Sequence, residues 1–386
     1  MSNIRVASRL NLFTEYVFSK LNKKIAEVEE KSKRKVLNFG PGNPDLTPSS
    51  LYLDKFNEFI KQDDSHLYPG YSANPEFTKA VIAWYKSRFN VDLEKDELLS
   101  LLGTKDGVSH LPLVLLDEGD EVLVPDPGYP AFTDPALMIG GKVVYYSLLE
   151  KNNFKISFEE LEEKVTDKTK FMWINFPSNP TGQVVKLEEL EKVVSFAKQH
   201  NILIAYDNAY SEITFDNFVA PSILQISGAK DIAVELYSFS KTFSFAGFRM
   251  GWIVGNKEVI AALAKVKSQM DSGLSTPLQK LGAFVLTNTD KVWHQNMLNS
   301  YQERRNIIAQ YLQKLELSFS LPQGGLYIWA KIPEGSKDSE AYCMQLLEEK
   351  QILFTPGTIF GKNGRGFVRV SICINIDKIE EYFKVL

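Results

Sequence analysis

One lysine stands among apolar neighbours directly after a strongly apolar run of the chain. The run 232–237 predicts a buried strand, and Lys241 follows it in a short polar segment. A partly desolvated lysine has a lowered pKa, and its neutral amine is a nucleophile that forms imines with aldehydes. The same segment contains Ser238, Ser240 and Arg249, whose hydroxyls and planar guanidinium would make a compact phosphate site. A polar turn with a surface lysine explains the segment equally well, so taken alone it leaves both interpretations open.

Three further polar segments also follow predicted strands. Thr104 and Lys105 open a helix after Gly103, where free backbone N–H groups bind anions. Asp207 ends a very apolar strand, and a buried carboxylate is costly unless a cation or strong donors face it. The segment 178–182 (Ser-Asn-Pro-Thr-Gly) is typical of a tight turn. A helix start, a helix cap and a turn are the commoner explanations of these three segments.

Strands and helices alternate through the middle of the chain, which predicts a largely parallel sheet covered by helices on both faces. The predicted strands are 98–102, 121–124, 143–147, 171–175, 202–206, 232–237 and 250–254. In open sheets of this kind ligands bind at the carboxyl ends of the strands. Because the polar segments all follow strands, we expect one shared site at that edge of the sheet.

The last third of the chain changes character. Long helical patterns at 259–270 and 292–315 lead to short strands at 326–330, 352–355 and 367–372. An N-terminal helical pattern covers residues 9–31. We therefore predict an α/β protein with a large domain at 46–272 and a smaller α+β domain formed by 1–45 and 273–386.

Composition excludes several classes of protein. With 386 residues, 44% of them hydrophobic, and a formal charge of −4, the chain can form a sizeable core and is not expected to bind nucleic acid. Cys343 and Cys373 cannot form a disulfide framework, which predicts a reducing compartment. No signal peptide or membrane-length apolar run is present, so we expect a soluble, cytoplasmic protein. The four histidines lack metal-ligand spacing, and we predict no metal site.

Together the polar segments resemble the class I and II aminotransferases, pyridoxal-phosphate enzymes of fold type I. The likeness rests on 179–182 (Asn-Pro-Thr-Gly), on Asp207 with Tyr210, and on Lys241 with Arg249, and it extends from Gly40 to Arg369. Within the family the chain looks similar to LL-diaminopimelate aminotransferase-like sequences. The segments that carry this closer likeness are 68–69, 124–130, 207–213 and 301–305.

The resemblance implies how the cofactor is bound. Lys241 would hold pyridoxal phosphate as an imine and later move the substrate's proton, while Asp207 would keep the pyridine nitrogen protonated. Tyr210 and Asn179 would hydrogen-bond the ring oxygen, and Tyr129 would stack on the ring face. The phosphate would be held by a larger set: Thr104, Lys105, Ser238, Ser240, Arg249 and, from the neighbouring subunit of a homodimer with shared active sites, Tyr68.

The resemblance also implies the substrate side of the site. Arg369 would bind the α-carboxylate in bidentate fashion, helped by Gly42 and Asn179, and Tyr16 matches a substrate-side tyrosine. Dicarboxylate-specific relatives often place a second arginine in a loop where this chain has Asp271 and Ser272 instead. Asp271 would suit a distal ammonium, or it is simply solvated.

By resemblance, the chain exchanges an amino group between an L-amino acid and a 2-oxo acid in a ping-pong reaction. LL-diaminopimelate, aspartate, alanine and aromatic amino acids all remain open as substrates. Two alternatives are a β-eliminating C–S lyase on the same scaffold and a non-catalytic regulator that binds the cofactor.

Overall fold

The molecule is organised around a sheet of seven strands, and its computed structural model describes residues 5–12 and 17–383. In chain order the strands are β1 (Leu37–Asn38), β2 (Leu98–Leu101), β3 (Glu121–Asp126), β4 (Lys142–Ser147), β5 (Thr169–Asn175), β6 (Leu203–Asp207), β7 (Ala233–Ser238), β8 (Gly251–Gly255), β9 (Ser318–Phe319), β10 (Tyr327–Lys331), β11 (Ile352–Leu353), β12 (Thr355–Pro356) and β13 (Phe367–Ser371). The helices are α1 (Val17–Ser32), α2 (Ser50–Phe59), α3 (Pro75–Phe89), α4 (Thr104–Leu115), α5 (Asp134–Met138), α6 (Phe158–Lys164), α7 (Leu187–His200), α8 (Phe239–Thr242), α9 (Lys257–Lys267), α10 (Thr276–Thr287), α11 (Lys291–Lys314), α12 (Ser339–Lys350) and α13 (Ile376–Phe383).

The large sheet has the order β2-β8-β7-β6-β5-β3-β4, and the predicted largely parallel α/β architecture is confirmed. Every neighbouring pair from β7 to β4 is parallel, whereas β8 runs antiparallel to both β7 and β2. All seven predicted strands are present, with their ends shifted by up to two residues. The sequence pattern did not predict the reversed direction of β8.

Both faces of this sheet are buried, as a continuous apolar strand requires. All six residues of β7 are buried, and successive side chains point to opposite faces. Ala233 and Tyr237 pack in the core that contains residues of α3, α7 and α10. Val234 and Leu236 pack in the other core, with residues of α4 and α9. The strand ends are thereby held rigidly, which fixes the side chains that follow them.

A second group of strands lies in two smaller sheets. The four-stranded sheet has the antiparallel order β12-β13-β10-β9, and β1 pairs in parallel with β11. Their core includes residues of α11 and α12. The division of the chain at residue 272 stays a prediction, and α10 beyond it packs into the first core through Leu281 and Val285.

The N-terminal segment differs from the single helix that the pattern at 9–31 predicts. A short 3-10 helix covers Ser8–Leu12, and α1 begins at Val17. Residues 13–16 are outside the part of the chain that the structure describes, so the predicted substrate contact of Tyr16 falls outside it too. Among residues 5–12 and 17–383, no helix combines the length and the apolar character needed to cross a membrane.

Candidate active site

A cavity of about 900 Å³ lies where the parallel strands end, and residues of the four-stranded sheet form part of its wall. The structure brings the predicted site residues to this cavity, with Tyr68 the exception within the described chain. Those that line it are Gly42, Thr104, Lys105, Tyr129, Asn179, Asp207, Tyr210, Ser238, Ser240, Lys241, Arg249 and Arg369. Segments separated by more than three hundred positions in the sequence therefore meet at one place.

Lys241 lies on the short helix α8, directly after β7. The hydroxyl of Ser238 caps this helix by accepting the backbone N–H of Ser240 at 3.1 Å. The Lys241 amine donates a hydrogen bond to the carbonyl oxygen of Gly42 at 2.8 Å and lies 5.7 Å from the centre of the Tyr210 ring. The half-buried amine thus points into the cavity and bonds to a loop from the other part of the fold.

Asp207 ends β6, and its side chain is buried with few partners. Its carboxylate accepts the backbone N–H of Ala209 at 3.3 Å, and no ion pair to it is present within residues 5–12 and 17–383. Burial raises the pKa of Asp207 to about 7, against the opposing effects of the Ala209 N–H and the Lys241 charge. An under-satisfied buried carboxylate is suited to a cationic N–H donor.

Glu235 shows what a structural buried carboxylate looks like in the same sheet. It lies on the neighbouring strand β7 and is fully buried. It accepts hydrogen bonds from Tyr85 at 2.8 Å, Ser222 at 2.8 Å and the Ile223 N–H at 3.0 Å. Because three close donors satisfy Glu235 and one long bond serves Asp207, only Asp207 has capacity left for a ligand.

The phosphate site predicted from sequence forms at the start of α4. Gly103 has φ of 78°, a left-handed conformation that favours glycine, and it precedes the helix without a side-chain cap. The first N–H groups of a helix have no partner within it, so those of Thr104 and Lys105 are available to an anion. The Arg249 guanidinium covers Gly103 closely enough that a Cβ there would collide with it. Backbone donors and a cation therefore face one point.

A buried ionic network supports this loop from behind, and the sequence reasoning missed it. Asp106 accepts the Leu102 N–H at 2.8 Å and bonds His110 Nδ1 at 2.7 Å, and it forms an ion pair with Lys267. Burial alone would raise the pKa of Asp106, but the hydrogen bonds of His110 and Lys267 outweigh it and lower the pKa. Lys267 also pairs with Asp271 at 2.8 Å. Local sequence pattern does not predict the pairing of Asp106 with Lys267, because these two residues lie on separate helices, α4 and α9.

Asp271 is held by this network and does not line the cavity. Besides its pair with Lys267, it accepts the Gly273 N–H at 2.8 Å. Ser272 likewise does not line the cavity. In this chain, then, the loop that replaces the second arginine of dicarboxylate-specific relatives turns its carboxylate toward a lysine of the same chain.

Arg369 lies at the opposite end of the cavity, on β13, and is buried. Its Nη1 donates to Asn179 Oδ1 at 2.9 Å and its Nη2 to the Gly40 carbonyl oxygen at 2.7 Å. Its Nε has no hydrogen-bond partner in the described part of the chain. The guanidinium carbon lies 4.1 Å from the Tyr327 ring centre and 4.7 Å from that of Phe360. A planar cation held between two rings with an unused donor is suited to a carboxylate.

Asn179 connects the two ends of the site. Its backbone N–H donates to Asn175 Oδ1 at 2.8 Å, and Asn175 Nδ2 donates to the Asp207 carbonyl oxygen at 2.8 Å. The turn predicted at 178–182 therefore holds Asn179 between the Asp207 strand and the Arg369 guanidinium.

Tyr327 also lines the cavity, and the sequence reasoning missed it too. Its hydroxyl oxygen lies 3.3 Å from that of Tyr210. Burial raises the pKa of Tyr210, and the neighbouring Tyr327 adds to this rise. The apolar run of β10 could have indicated that Tyr327 is buried, but not which residues it meets.

Tyr68 lies outside the cavity of its own chain and is 89% exposed. Leu67 and Tyr71 of the same loop are also exposed apolar residues. The loop rests on another segment, because a Cβ on Gly273 would collide with the carbonyl oxygen of Gly70. Its predicted contact with a neighbouring subunit stays a prediction.

Comparison with known proteins places this geometry in a family. The sequence model described as aminotransferase class I and II matches residues 34–386. The chain is 37% identical to the LL-diaminopimelate aminotransferase of Halothermothrix orenii over 97% of this chain and 96% of that protein. It is 38% identical to the enzyme of the same name from Aquifex aeolicus, with the same coverage. The solved apo-BacF structure from Bacillus subtilis superposes with a TM-score of 0.93 at 31% identity, over 99% of this chain and 97% of that one.

Proposed function

The chain belongs to the class I and II aminotransferases, which makes it a pyridoxal-phosphate-dependent transaminase of fold type I, and we propose how its own residues perform that reaction. The observation that carries the proposal is the meeting of Lys241, Asp207 and Arg369 in one cavity. An amine, a buried acid and a buried arginine are the three groups that an amino acid and an aldehyde cofactor require.

The residues present fit pyridoxal phosphate. The cofactor has an aldehyde, a basic ring nitrogen and a phosphate, and the cavity offers an amine, an under-satisfied buried carboxylate and a set of free N–H donors. When bound, the cofactor supplies an electron sink that stabilises negative charge at the substrate's α-carbon. We propose that Lys241 binds it covalently through its side-chain amine and that Asp207 holds its ring nitrogen protonated.

Further residues would fix the orientation of the ring. Tyr210 and Asn179 lie beside the amine and offer an O–H and an N–H to the ring oxygen, and Tyr129 offers an aromatic face. Such stacking adds roughly 0.5–1.5 kcal/mol beyond the burial of area. The phosphate would be held by a larger set: Thr104, Lys105, Ser238, Ser240, Arg249 and the partner subunit's Tyr68.

Substrate binding would begin at Arg369. Its unused Nε and its Nη groups would bind the α-carboxylate, with Gly42 and Asn179 beside it, and this clamp fixes the α-carbon relative to Lys241. The Lys241 amine would take the proton from the substrate's α-carbon. It reaches the Gly42 carbonyl in the Arg369 half of the cavity, which supports this transfer over a short distance.

For the substrate we propose LL-diaminopimelate as amino donor. Two relatives with this name support the choice at 37% and 38% identity. The cations that line the cavity are Lys105, Lys241, Arg249 and Arg369. The proposed reaction assigns all four to the cofactor or the α-carboxylate, so neutral donors of the described cavity wall would bind the distal carboxylate of this donor.

We also propose a homodimer with shared active sites in a cytoplasmic compartment. The exposed apolar side chains of Leu67, Tyr68 and Tyr71 support an interface at this loop. Cys343 and Cys373 are both unbonded, in keeping with a reducing compartment. Sedimentation equilibrium tests the assembly, and a monomer that binds the cofactor with full affinity would contradict it.

A single-turnover experiment tests the proposed function. Holoenzyme without any 2-oxo acid acceptor is mixed with LL-diaminopimelate, aspartate, alanine or phenylalanine in turn, and the released products are quantified. Transamination releases one equivalent of the matching 2-oxo acid per site and then stops until an acceptor is added. With L-cystathionine, which carries a thiolate leaving group on its β-carbon, continuing release of pyruvate and ammonia would instead show β-elimination, and no reaction with any of these amino acids would favour a non-catalytic regulator.

A further inference from the structure

Tyr327 contacts three residues to which the proposed reaction assigns a role, yet no role follows for it from sequence. Its hydroxyl lies 3.3 Å from the Tyr210 hydroxyl, and its ring lies 4.1 Å from the Arg369 guanidinium carbon. A Cβ on Gly42 would collide with its phenol group. We propose that Tyr327 is a positioning residue that orients the Tyr210 hydroxyl toward the cofactor and the Arg369 guanidinium toward the substrate. This inference rests on the proposed function.

The strand pairing explains why one side chain reaches both ends of the site. In the antiparallel pair of β10 and β13, Tyr327 lies opposite Ser371 and Trp329 lies opposite Arg369. Tyr327 and Arg369 are therefore diagonal neighbours on the same face of the sheet, a distance that long and aromatic side chains span. The phenol continues past the guanidinium to Tyr210, so both contacts follow from a single ring orientation.

The hydroxyl contact fixes the direction of hydrogen bonding. A phenol has one proton to donate. If Tyr210 donates its proton to the cofactor's ring oxygen, the O–H that joins the two tyrosines belongs to Tyr327, and Tyr210 accepts it. Acceptance of a hydrogen bond makes the Tyr210 proton a stronger donor, because chains of hydrogen bonds polarise one another. Tyr327 would thereby increase the electrostatic effect of Tyr210 on the ring oxygen.

The ring contact acts on the other end of the site. The Arg369 guanidinium lies between the rings of Tyr327 and Phe360, at 4.1 Å and 4.7 Å. Both are desolvated cation–π contacts, and rings against the guanidinium face leave its donors free in the guanidinium plane. The plane is therefore set before a carboxylate arrives, which lowers the entropic cost of binding it.

Two variants separate the hydroxyl from the ring. Tyr327→Phe removes the hydroxyl and keeps the ring, while Tyr327→Met removes both with little change in volume. Tyr342→Phe is the matched control, because Tyr342 is buried in the same core and lies outside the cavity. Two properties of each holoenzyme are measured: the pH midpoint of its visible absorbance, and the dissociation constant of 4-methylpentanoate, an unreactive carboxylate.

In Tyr327→Phe we expect the absorbance midpoint to rise by about 0.1–0.2 pH unit, because loss of one hydrogen bond weakens the next bond of the chain by about 10–30% of about 1 kcal/mol. The sign follows because a weaker donor on the ring oxygen leaves more negative charge there, and that charge holds the titrating proton to higher pH. Binding of 4-methylpentanoate stays unchanged in this variant. In Tyr327→Met the midpoint rises equally, and the dissociation constant rises about tenfold. The control changes neither property.

An unchanged midpoint in the Phe variant would overturn the role of the hydroxyl, and unchanged carboxylate binding in the Met variant would overturn that of the ring. If the Met variant does not fold, the Phe variant still decides the hydroxyl, and Tyr327→Leu takes over the test of the ring. Failure of the proposed function is distinguishable, because the wild-type protein would then release no matching 2-oxo acid in the single-turnover experiment, whereas the absorbance midpoint and 4-methylpentanoate binding are measured without turnover.

Discussion

Asparagine in place of Asp207 keeps the shape of the side chain, removes its charge, and should make the cofactor-free enzyme more stable while it impairs the holoenzyme. The reason is that the folded protein buries this carboxylate with one backbone N–H at 3.3 Å and no close cation in the described chain. The carboxylate therefore lacks a hydrogen-bond donor that the protonated ring nitrogen of the cofactor would supply. Without the cofactor, the buried carboxylate destabilises the folded protein.

The structure gives the size and the sign of the effect. Burial raises the pKa of Asp207 from 3.8 to about 7. A difference of about three pH units corresponds to about 4 kcal/mol of unfolding free energy. Below about pH 4 the carboxyl is protonated in both states and costs nothing. As pH rises toward 7 only the unfolded chain ionises, so the wild type loses stability, and above 7 the loss is constant.

Urea unfolding of the cofactor-free proteins from pH 4 to pH 9, at one protein concentration, measures this effect. We expect Asp207→Asn to match the wild type near pH 4 and to exceed it by about 4 kcal/mol above pH 7. In the same variant, turnover with the cofactor should fall by orders of magnitude. Asp126→Asn is the control, since Asp126 is a buried carboxylate at the end of β3, two strands from β6 in the same sheet, and lies outside the cavity.

A stability gap between wild type and Asp207→Asn that does not change with pH would refute the reasoning. Full activity of Asp207→Asn would show that the ring nitrogen has another partner. Impaired cofactor binding in Asp126→Asn would show that removal of any buried carboxylate at this sheet edge disturbs the site.

The remaining predictions concern residues at the proposed substrate-carboxylate end of the cavity and the ionic network behind the proposed phosphate-binding loop. Arg369→Lys should raise KM for every α-amino acid alike by roughly 30- to 100-fold, because all share the α-carboxylate. The control, Arg365→Lys at an exposed position, should leave KM unchanged. A rise for one substrate only would mean that Arg369 binds the side chain of that substrate. Lys267→Met leaves two aspartates without their cation, so the free energy of unfolding in urea should fall by about 3–5 kcal/mol. The control, Lys265→Met on the exposed side of the same helix, should lower it by about 0.5 kcal/mol or less. Equal effects of the two substitutions would contradict the proposed role of the network. Gly42→Ala places a methyl group against a phenol and should weaken 4-methylpentanoate binding at least tenfold in equilibrium titration, whereas wild-type affinity would show that the loop adapts freely.

Much of the fold was predictable because most strands of the large sheet are predominantly apolar runs, as β6 and β7 show. Strand order and the antiparallel direction of β8 were not, since both depend on contacts between distant segments. Local pattern also placed Lys241 and Asp207 at strand ends, and the resemblance supplied their partners. The 3-10 helix at Ser8–Leu12, within the pattern that predicts an α-helix at 9–31, shows the limit of helical spacing, which does not mark where an α-helix begins.

The residues that sequence reasoning missed all act through long-range contacts. Tyr327 is an ordinary inward-facing strand residue until its register beside β13 places it against Arg369. From sequence, Lys267 would be predicted to be an exposed lysine of an amphipathic helix, yet it is buried and forms ion pairs with Asp106 and Asp271. Sequence spacing finds groups that share one strand or helix, whereas these groups become partners only when the cores have packed.

The central claim is that Lys241 carries the cofactor, and its most direct test is chemical. Holoenzyme is reduced with sodium borohydride, digested, and mapped by peptide mass spectrometry. The account predicts the mass of a reduced phosphopyridoxyl group on Lys241 and on no other lysine. The same group on Lys105 or another lysine, or reduction that leaves every peptide unmodified, would contradict it.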